Sequence, residues 1–250
     1  MKALITGASS GIGMDFAKYL SCLGYDLILV ARRKDRLEKL KKELKTDTKI
    51  ISLDLSDEKN CLSLYEALKN ENIDVLINNA GFGDFGNFNE TSLEKELKML
   101  NVNIRALHIL TKLFLKDMIN KDNGYILNVA SAASFAPGPL MATYYSSKSY
   151  VFRLTESIAA ELNHNKSNVR ISVLCPGPVN TEFNDVANVN FSFKPLTSDY
   201  VAKYAINKML KGKLIIVPGF LMKFNRFFCK FLPDALLAKI VYNNQCHKKN

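Results

Sequence analysis

The sequence is poor in the features from which disulfide frameworks, metal centres and membrane spans are built. Its five cysteines, Cys22, Cys61, Cys175, Cys229 and Cys246, are odd in number and form no C-x-x-C pair. They read as reduced thiols and point to a cytoplasmic setting. The three histidines, His108, His164 and His247, are scattered and give no zinc constellation. No internal repeat or low-complexity linker divides the 250 residues, and no leader with a basic region, apolar core and cleavage site precedes the first apolar strand, so secretion is not expected. Acid is scarce relative to base, giving a formal charge of +10. The lysines lie scattered over helix faces such as KDRLEKLKKELK and form no recognition motif, so no nucleic-acid partner is expected.

What the chain does have is enough apolar residue, 48%, for one substantial core, arranged as alternating strands and helices. Strands are expected at 2–6, 26–32, 50–55, 74–81, 125–131, 170–177 and 214–219, with long helical tracts at about 92–118 and 143–163. Nearly unbroken apolar strands between helices predict a Rossmann-type doubly wound parallel seven-stranded sheet with helices on both faces, an α/β fold. In such a sheet, ligands collect at the carboxyl ends of the strands.

The first strand runs into TGASSGIG at 6–13. Gly7, Gly11 and Gly13 stand where a chain must turn tightly, approach a pyrophosphate and pack a helix on a sheet. The amides of Ser9, Ser10, Gly11 and Ile12 lie at the helix N-terminus, where an anion is favoured. After the second strand, the acid that many dinucleotide folds direct at the ribose is missing: Ala31 is followed by Arg32 and Arg33. A 2′-phosphate suits that charge, which favours NADP(H) with NAD(H) as the other possibility. Arg32 is the first candidate to hold the phosphate, with Arg33 and Ser9 behind it, and the bland alternative is two arginines opening a solvated helix.

Tyr144 and Lys148 stand four apart, so on a helix they share a face, and Ser131 precedes the tyrosine by thirteen residues. A carbonyl reduction needs a proton donor beside the hydride donor. A phenol beside an ammonium fills that role, because the nearby positive charge is expected to lower the phenol's pKa. Tyr145, Ser134 and Asn101 are the bland competitors of Tyr144, Ser131 and Asn103.

The ordered set TGASSGIG, DL at 54–55, NNAG at 78–81, NVN at 101–103, Ser131, Y-x-x-x-K at 144–148 and PGPVNT at 176–181 resembles the classical short-chain dehydrogenase/reductase family, and within it bacterial general short-chain oxidoreductases. The resemblance implies strand order 3-2-1-4-5-6-7. It gives Ser131 the task of orienting the carbonyl, Lys148 a second role on the nicotinamide ribose, and Asn103 a water that relays protons to Lys148. Further cofactor contacts fall on Asp54 near the adenine, Leu55, Asn79, Ala80, Gly81, Pro176, Gly177, Val179 and Thr181, the last on the carboxamide.

The function expected is NADP(H)-dependent reduction of a carbonyl to an alcohol. The alternatives are an NAD(H)-dependent alcohol dehydrogenase of the same family and a catalytically weak nucleotide-binding regulatory protein. Residues 1–219 are expected to form one catalytic domain, with 182–198 as a lid carrying Phe183, Phe191 and Phe193. Phe82, Phe85, Phe135, Pro139 and Met141 in neighbouring loops suggest an apolar substrate. Residues 220–250 form an amphipathic helical extension in which Phe220, Phe224, Phe227, Phe228 and Phe231 recur beside Lys223, Arg226 and Lys230, broken near Pro233. Too short to span a bilayer, it is expected to cover the cleft, to join subunits of a homodimer or homotetramer, or to make peripheral membrane contact through 220–242.

Overall fold

Alternate residues of the first strand enter opposite cores, and this sets the layering of the molecule. The computed structural model describes residues 1–183, 187 and 195–246. In β1 (Lys2–Thr6), Ala3 and Ile5 join a cluster with Phe16 and Leu20 of α1 (Gly11–Cys22). Val201 and Ile206 of α7 (Ser198–Leu210) complete that face. Leu4 instead joins Leu64 and Leu68 of α3 (Glu58–Leu68) and Leu110 and Phe114 of α5 (Leu107–Asn120). Both sheet faces are therefore covered, as continuous apolar strands require.

The remaining strands are β2 (Asp26–Ala31), β3 (Thr48–Ser52), β4 (Val75–Asn78), β5 (Tyr125–Val129), β6 (Arg170–Leu174) and, after the short pair β7 (Val179–Asn180) and β8 (Leu196–Thr197), β9 (Ile215–Ile216). The seven-stranded sheet has order β3-β2-β1-β4-β5-β6-β9, the order the family resemblance implies, and every pairing in it is parallel. Chain order reverses between β1 and β4, which opens a crevice at their carboxyl ends. Buried amides fix the centre: Asn78 Nδ2 donates to Thr111 Oγ1 at 3.0 Å and to Asn128 Oδ1 at 2.9 Å, and Asn128 Nδ2 donates to Thr155 Oγ1 at 3.1 Å.

Several boundaries differ from the sequence expectation: β4, β5 and β6 already end at Asn78, Val129 and Leu174. β3 is displaced toward the N-terminus, because Asp54 leaves the sheet to accept the Ser56 amide at 3.0 Å. β9 keeps only two residues of 214–219. The tract at 92–118 is not one α-helix: α4 (Leu93–Leu100) passes through a π-helical segment, Asn101–Ala106, before α5 begins. Such segments re-aim side chains and often sit at functional sites, and this one carries Asn103.

Candidate active site

The turn after β1 takes its shape from close backbone approaches. Gly7 and Gly11 have φ of +66° and +55°, the left-handed region that side chains resist. A Cβ on Gly13 would stand 2.2 Å from the Gly7 carbonyl oxygen, so only glycine lets α1 begin so near the strand. Thr6 and Asn79 tie the turn to β4. Thr6 Oγ1 accepts the Asn79 and Ala80 amides at 3.0 and 3.1 Å, while Asn79 Nδ2 donates to the carbonyls of Thr6 and Gly7. No side chain caps the start of α1 and its first turn holds no acid, so its amides face the cavity uncompensated. The donor set fits a dinucleotide pyrophosphate.

At the end of β2, Arg32 and Arg33 both line the cavity, in different ways. Arg33 turns onto the glycine turn, donating to Ser10 Oγ at 2.8 Å and to Ser9 Oγ at 3.2 and 3.3 Å. Its remaining amino group meets Glu182 at 2.8 Å, and Arg36 holds the other oxygen of the same carboxylate. These hydrogen bonds, Arg33's first, hold the Glu182 carboxyl below its ordinary range. Arg32 is exposed, and its charge is felt at Asp54. Burial pushes the Asp54 carboxyl up, but the Ser56 hydrogen bonds and the charges of Lys98 and Arg32 outweigh it and hold it low. Sequence reasoning did not foresee Arg36 and Glu182, which no motif marks.

One cavity of about 790 Å³ runs from this turn to the carboxyl ends of β4 and β5. Its wall includes Gly7, Ser9, Ser10, Gly11, Ile12, Asp54, Leu55, Asn79, Ala80 and Gly81, together with Ser131, Tyr144, Lys148, Pro176, Gly177, Val179 and Thr181. Of the expected site residues, Gly13 and Asn103 lie behind that wall. Gly13 packs α1 on the turn. Asn103 is fully buried: its Oδ1 accepts the Phe82 amide at 3.1 Å, and its Nδ2 donates to the Phe82 carbonyl at 2.9 Å and to Ser147 Oγ at 3.1 Å. A Cβ on Gly81 would touch Asn103 Oδ1 at 2.9 Å and Lys148 Nζ at 3.2 Å, so glycine there lets the wall close over both groups.

Tyr144 and Lys148 lie one turn apart on α6 (Ala142–His164). Lys148 Nζ donates to the carbonyl of Val129, the last residue of β5, at 2.9 Å and stands 5.9 Å from the centre of the Tyr144 ring. Burial pushes the Tyr144 phenol above its ordinary value, and a hydrogen bond with Ser131 pulls it partly back. Burial also draws the Lys148 ammonium down to about 8. Desolvation, rather than the neighbouring ammonium, therefore sets the phenol in this geometry, opposite to the lowering expected from the sequence. Of the bland competitors, Tyr145 lines the same cavity, its ring centre 6.2 Å from that of Tyr144, whereas Ser134 does not. Ser134 Oγ donates to the Lys148 carbonyl at 2.9 Å, and the Tyr145 ring lies so close to Gly138 that a Cβ there would stand 1.9 Å from it.

Phe183 packs on Tyr144 with ring centres 5.4 Å apart, and Phe82 and Met141 also reach the cavity. Phe135, expected near the substrate, packs instead edge-on against Phe152 at 5.6 Å, with Arg226 over both rings. Phe85 and Pro139 are not on the cavity wall, and Phe191 and Phe193 fall outside the described residues. The C-terminal helices supply the rest of the wall. Met222, Asn225 and Cys229 come from α8 (Phe220–Phe228) and its cap, and Leu237, Ile240, Val241, Asn244 and Gln245 from α9 (Asp234–Cys246). Only the amphipathic spacing of 220–242 hinted at these residues, and it did not say which would face the cleft.

A sequence model described as short chain dehydrogenase matches residues 1–190. The chain is 32% identical over 182 residues to an uncharacterized oxidoreductase of Staphylococcus epidermidis, covering 72% of this chain and 78% of that one. A short-chain dehydrogenase from Sphingobium yanoikuyae in complex with NADPH superposes with a TM-score of 0.81 at 26% identity, covering 94% of this chain and 97% of that one. A short chain dehydrogenase/reductase from Burkholderia phymatum in complex with NAD gives a TM-score of 0.82 at 25% identity, covering 90% and 91%. With its sheet order, its glycine turn and the Ser131, Tyr144 and Lys148 wall, the chain belongs to the short-chain dehydrogenase family, oxidoreductases that exchange hydride between NAD(P)(H) and a carbonyl or alcohol.

Proposed function

We propose that the protein is an NADP(H)-dependent reductase of an apolar carbonyl compound. The observation that carries this reading is one cavity bounded by an uncapped α1 N-terminus, by Arg32 and Arg33 where a ribose-binding acid is missing, and by Ser131, Tyr144 and Lys148 at its other end. When bound, the reduced nicotinamide supplies the hydride. Ser131 holds the carbonyl oxygen and Tyr144 Oη donates the proton to it. The buried phenol stays protonated at neutral pH, so the donor is loaded before each turnover. Lys148, anchored on Val129, faces both the phenol and the expected ribose position, and it recharges Tyr144 with protons that a water held at Asn103 relays to Lys148. The π-helical segment and the three hydrogen bonds of its amide fix Asn103 for that task.

Phe82, Met141, Phe183 and the apolar residues of α9 support an apolar substrate. The reading includes a catalytic unit of residues 1–219 with a helical extension, a homodimer or homotetramer and a cytoplasmic setting, which the unpaired cysteines support. Steady-state rates with NADPH, NADH, NADP+ and NAD+ over a panel of aliphatic and aryl ketones and their alcohols test it. Reduction with NADPH at much the highest kcat/KM is expected. Faster turnover with NAD+ and alcohols would favour the NAD(H)-dependent dehydrogenase, and no turnover with any pair would leave a nucleotide-binding protein.

A further inference from the structure

Side-chain amides buried in this protein are tied down almost without exception. Asn103 makes three hydrogen bonds, Asn78 donates two, and Asn128 is bonded through both ends. Asn78 leaves only its Oδ1 unpartnered, and among the described residues Gln245 is the one buried amide with neither end bonded. It is 1% exposed, and neither Oε1 nor Nε2 has a hydrogen-bond partner among the described residues. Burying an amide without partners is unfavourable, and an apolar side chain of the same length would avoid the penalty. Gln245 sits in the last turns of α9, on the wall of the same cavity that Ser131 and Tyr144 line. Its wall neighbours from α9 are Leu237, Ile240 and Val241, which offer an amide nothing to bond, and Asn244, which is not bonded to it.

We propose that Gln245 is a substrate-reading residue, whose amide bonds a second polar group of an otherwise apolar ketone, a hydroxyl or carboxamide separate from the reacting carbonyl. A group of that kind both gives and accepts a hydrogen bond, and so satisfies Nε2 and Oε1 together. A second ketone or an ester satisfies only Nε2. The reacting carbonyl itself belongs to Ser131 and Tyr144, which stand on β5's exit and on α6, not on α9. Specificity follows because a site built to hydrogen-bond discriminates strongly against a ligand that leaves its polar group unpaired. The inference rests on the reading of this cavity as a site of carbonyl reduction.

The test uses the full chain and matched probes: 2-alkanones of eight to twelve carbons, and the same chains ending in a hydroxyl or a primary carboxamide. Wild type is expected to reduce the best polar-ended ketone with a kcat/KM about 10- to 100-fold above its plain counterpart. In Gln245→Met, which keeps the length and removes the amide, that preference is expected to disappear, with the plain ketone within about threefold of wild type and NADPH affinity unchanged. Equal kcat/KM for plain and polar-ended ketones in the wild type would overturn the proposal, and would mean that Gln245 is satisfied by water. Equal losses on both ketones in the variant would also overturn it, making Gln245 a packing residue. If Gln245→Met does not fold, the wild-type preference alone decides. Equilibrium binding of the corresponding polar-ended alcohols to the NADP+-loaded wild type separates the two readings. Binding without turnover refutes the reductase but keeps the subsite; turnover without any preference refutes the subsite alone.

Discussion

The two ends of the cavity are built by different means. At the nucleotide end, the turn is shaped by backbone, with positive φ at Gly7 and Gly11, amides at the start of α1 and carbonyls held by Asn79, and the charged side chains of Arg32, Arg33 and Asp54 stand beside it. At the substrate end the wall is side chain, from Phe183, Met222, Leu237 and Ile240, on elements that arrive late in the sequence. The outer face of α8 has no buried residue, and Phe220, Phe224, Phe227 and Phe231 are each more than half exposed. A backbone-built site permits few sequences, whereas a wall of apolar side chains permits many.

The sharpest division between the ends should appear at Tyr144, where they meet. Tyr144→Phe removes a proton donor and almost no volume, so turnover should fall by about 10²- to 10⁴-fold. The NADPH dissociation constant should stay near that of the wild type. Near-normal turnover would remove Tyr144 from the proton-donor role, and single-turnover hydride transfer measured alongside NADPH titration decides it.

Deleting everything after Gly219 attacks chiefly the substrate end. It removes Met222, Leu237 and Gln245 from the wall and uncovers Gly177, against which Met222 packs so closely that a Cβ would lie 2.7 Å from its Cγ. The truncated protein should aggregate, or lose affinity for ketone far more than for NADPH. A different result would change the assignment of the exposed phenylalanines. If size, solubility and kinetics survive while sedimentation with anionic liposomes is lost, the Lys223, Arg226 and Lys230 face lies on a membrane. Among the described residues no helix is long and apolar enough to cross one.

Substitutions at the arginines test the nucleotide end in the same way. Arg32→Ala and Arg33→Ala should each weaken NADPH by roughly 2 kcal/mol and NADH little, as for a charged hydrogen bond to phosphate. Dissociation constants for both cofactors at one ionic strength measure this, and equal losses for both would mean that neither arginine reads the 2′-phosphate. Arg33→Ala should also loosen the glycine turn, because its guanidinium holds Ser9 and Ser10, so the smaller NADH effect belongs to Arg32→Ala.

How much of each end was legible in the sequence follows from the same contrast. Gly7, Gly11 and the Tyr144 and Lys148 pair were readable because local geometry demands those residues at those spacings, while the seven-strand order came only with the family resemblance. The π-helical segment was not, since NVNIRA reads as ordinary helix until Asn103 is seen bridging Phe82 and Ser147. The facing of α9 was equally hidden. Its apolar residues satisfy helical periodicity in more than one orientation, and only tertiary packing chooses Leu237 and Gln245 to go inside.

Lys148 offers a pH test of how dry the junction is. Its pKa is about 8 in the fold against an ordinary 10.5, so between those values the unfolded chain binds a proton that the native state does not. Stability from this group therefore rises with pH across that window, by up to about 1.4 kcal/mol per pH unit. The buried thiols of Cys61 and Cys175 act in the opposite sense, because burial raises both and the native state keeps protons that the unfolded chain releases. The readout is thus the difference between wild type and Lys148→Met in urea midpoints from pH 7.5 to 10, without cofactor. Wild type should improve relative to the variant as pH rises, and a constant difference would mean that Lys148 stays hydrated.

The smallest effect should come from Glu182, which links the two ends. It precedes Phe183 on the substrate side, yet its carboxylate lies on Arg33 and Arg36, and the side chains of the pair with Arg33 are 41% and 44% exposed. A pair so exposed contributes less than about 1 kcal/mol to the fold, so Glu182→Gln should leave the melting temperature almost unchanged. Its effect on the cofactor is different in kind. The carboxylate competes with a 2′-phosphate for the Arg33 guanidinium, and removing its charge should tighten NADPH by about two- to fivefold at low salt, with the gain fading as ionic strength rises. NADH carries no 2′-phosphate and should bind as before. Were NADPH to weaken instead, Glu182 would be holding Arg33 in its working position rather than competing for it, and the link between the ends would be a support.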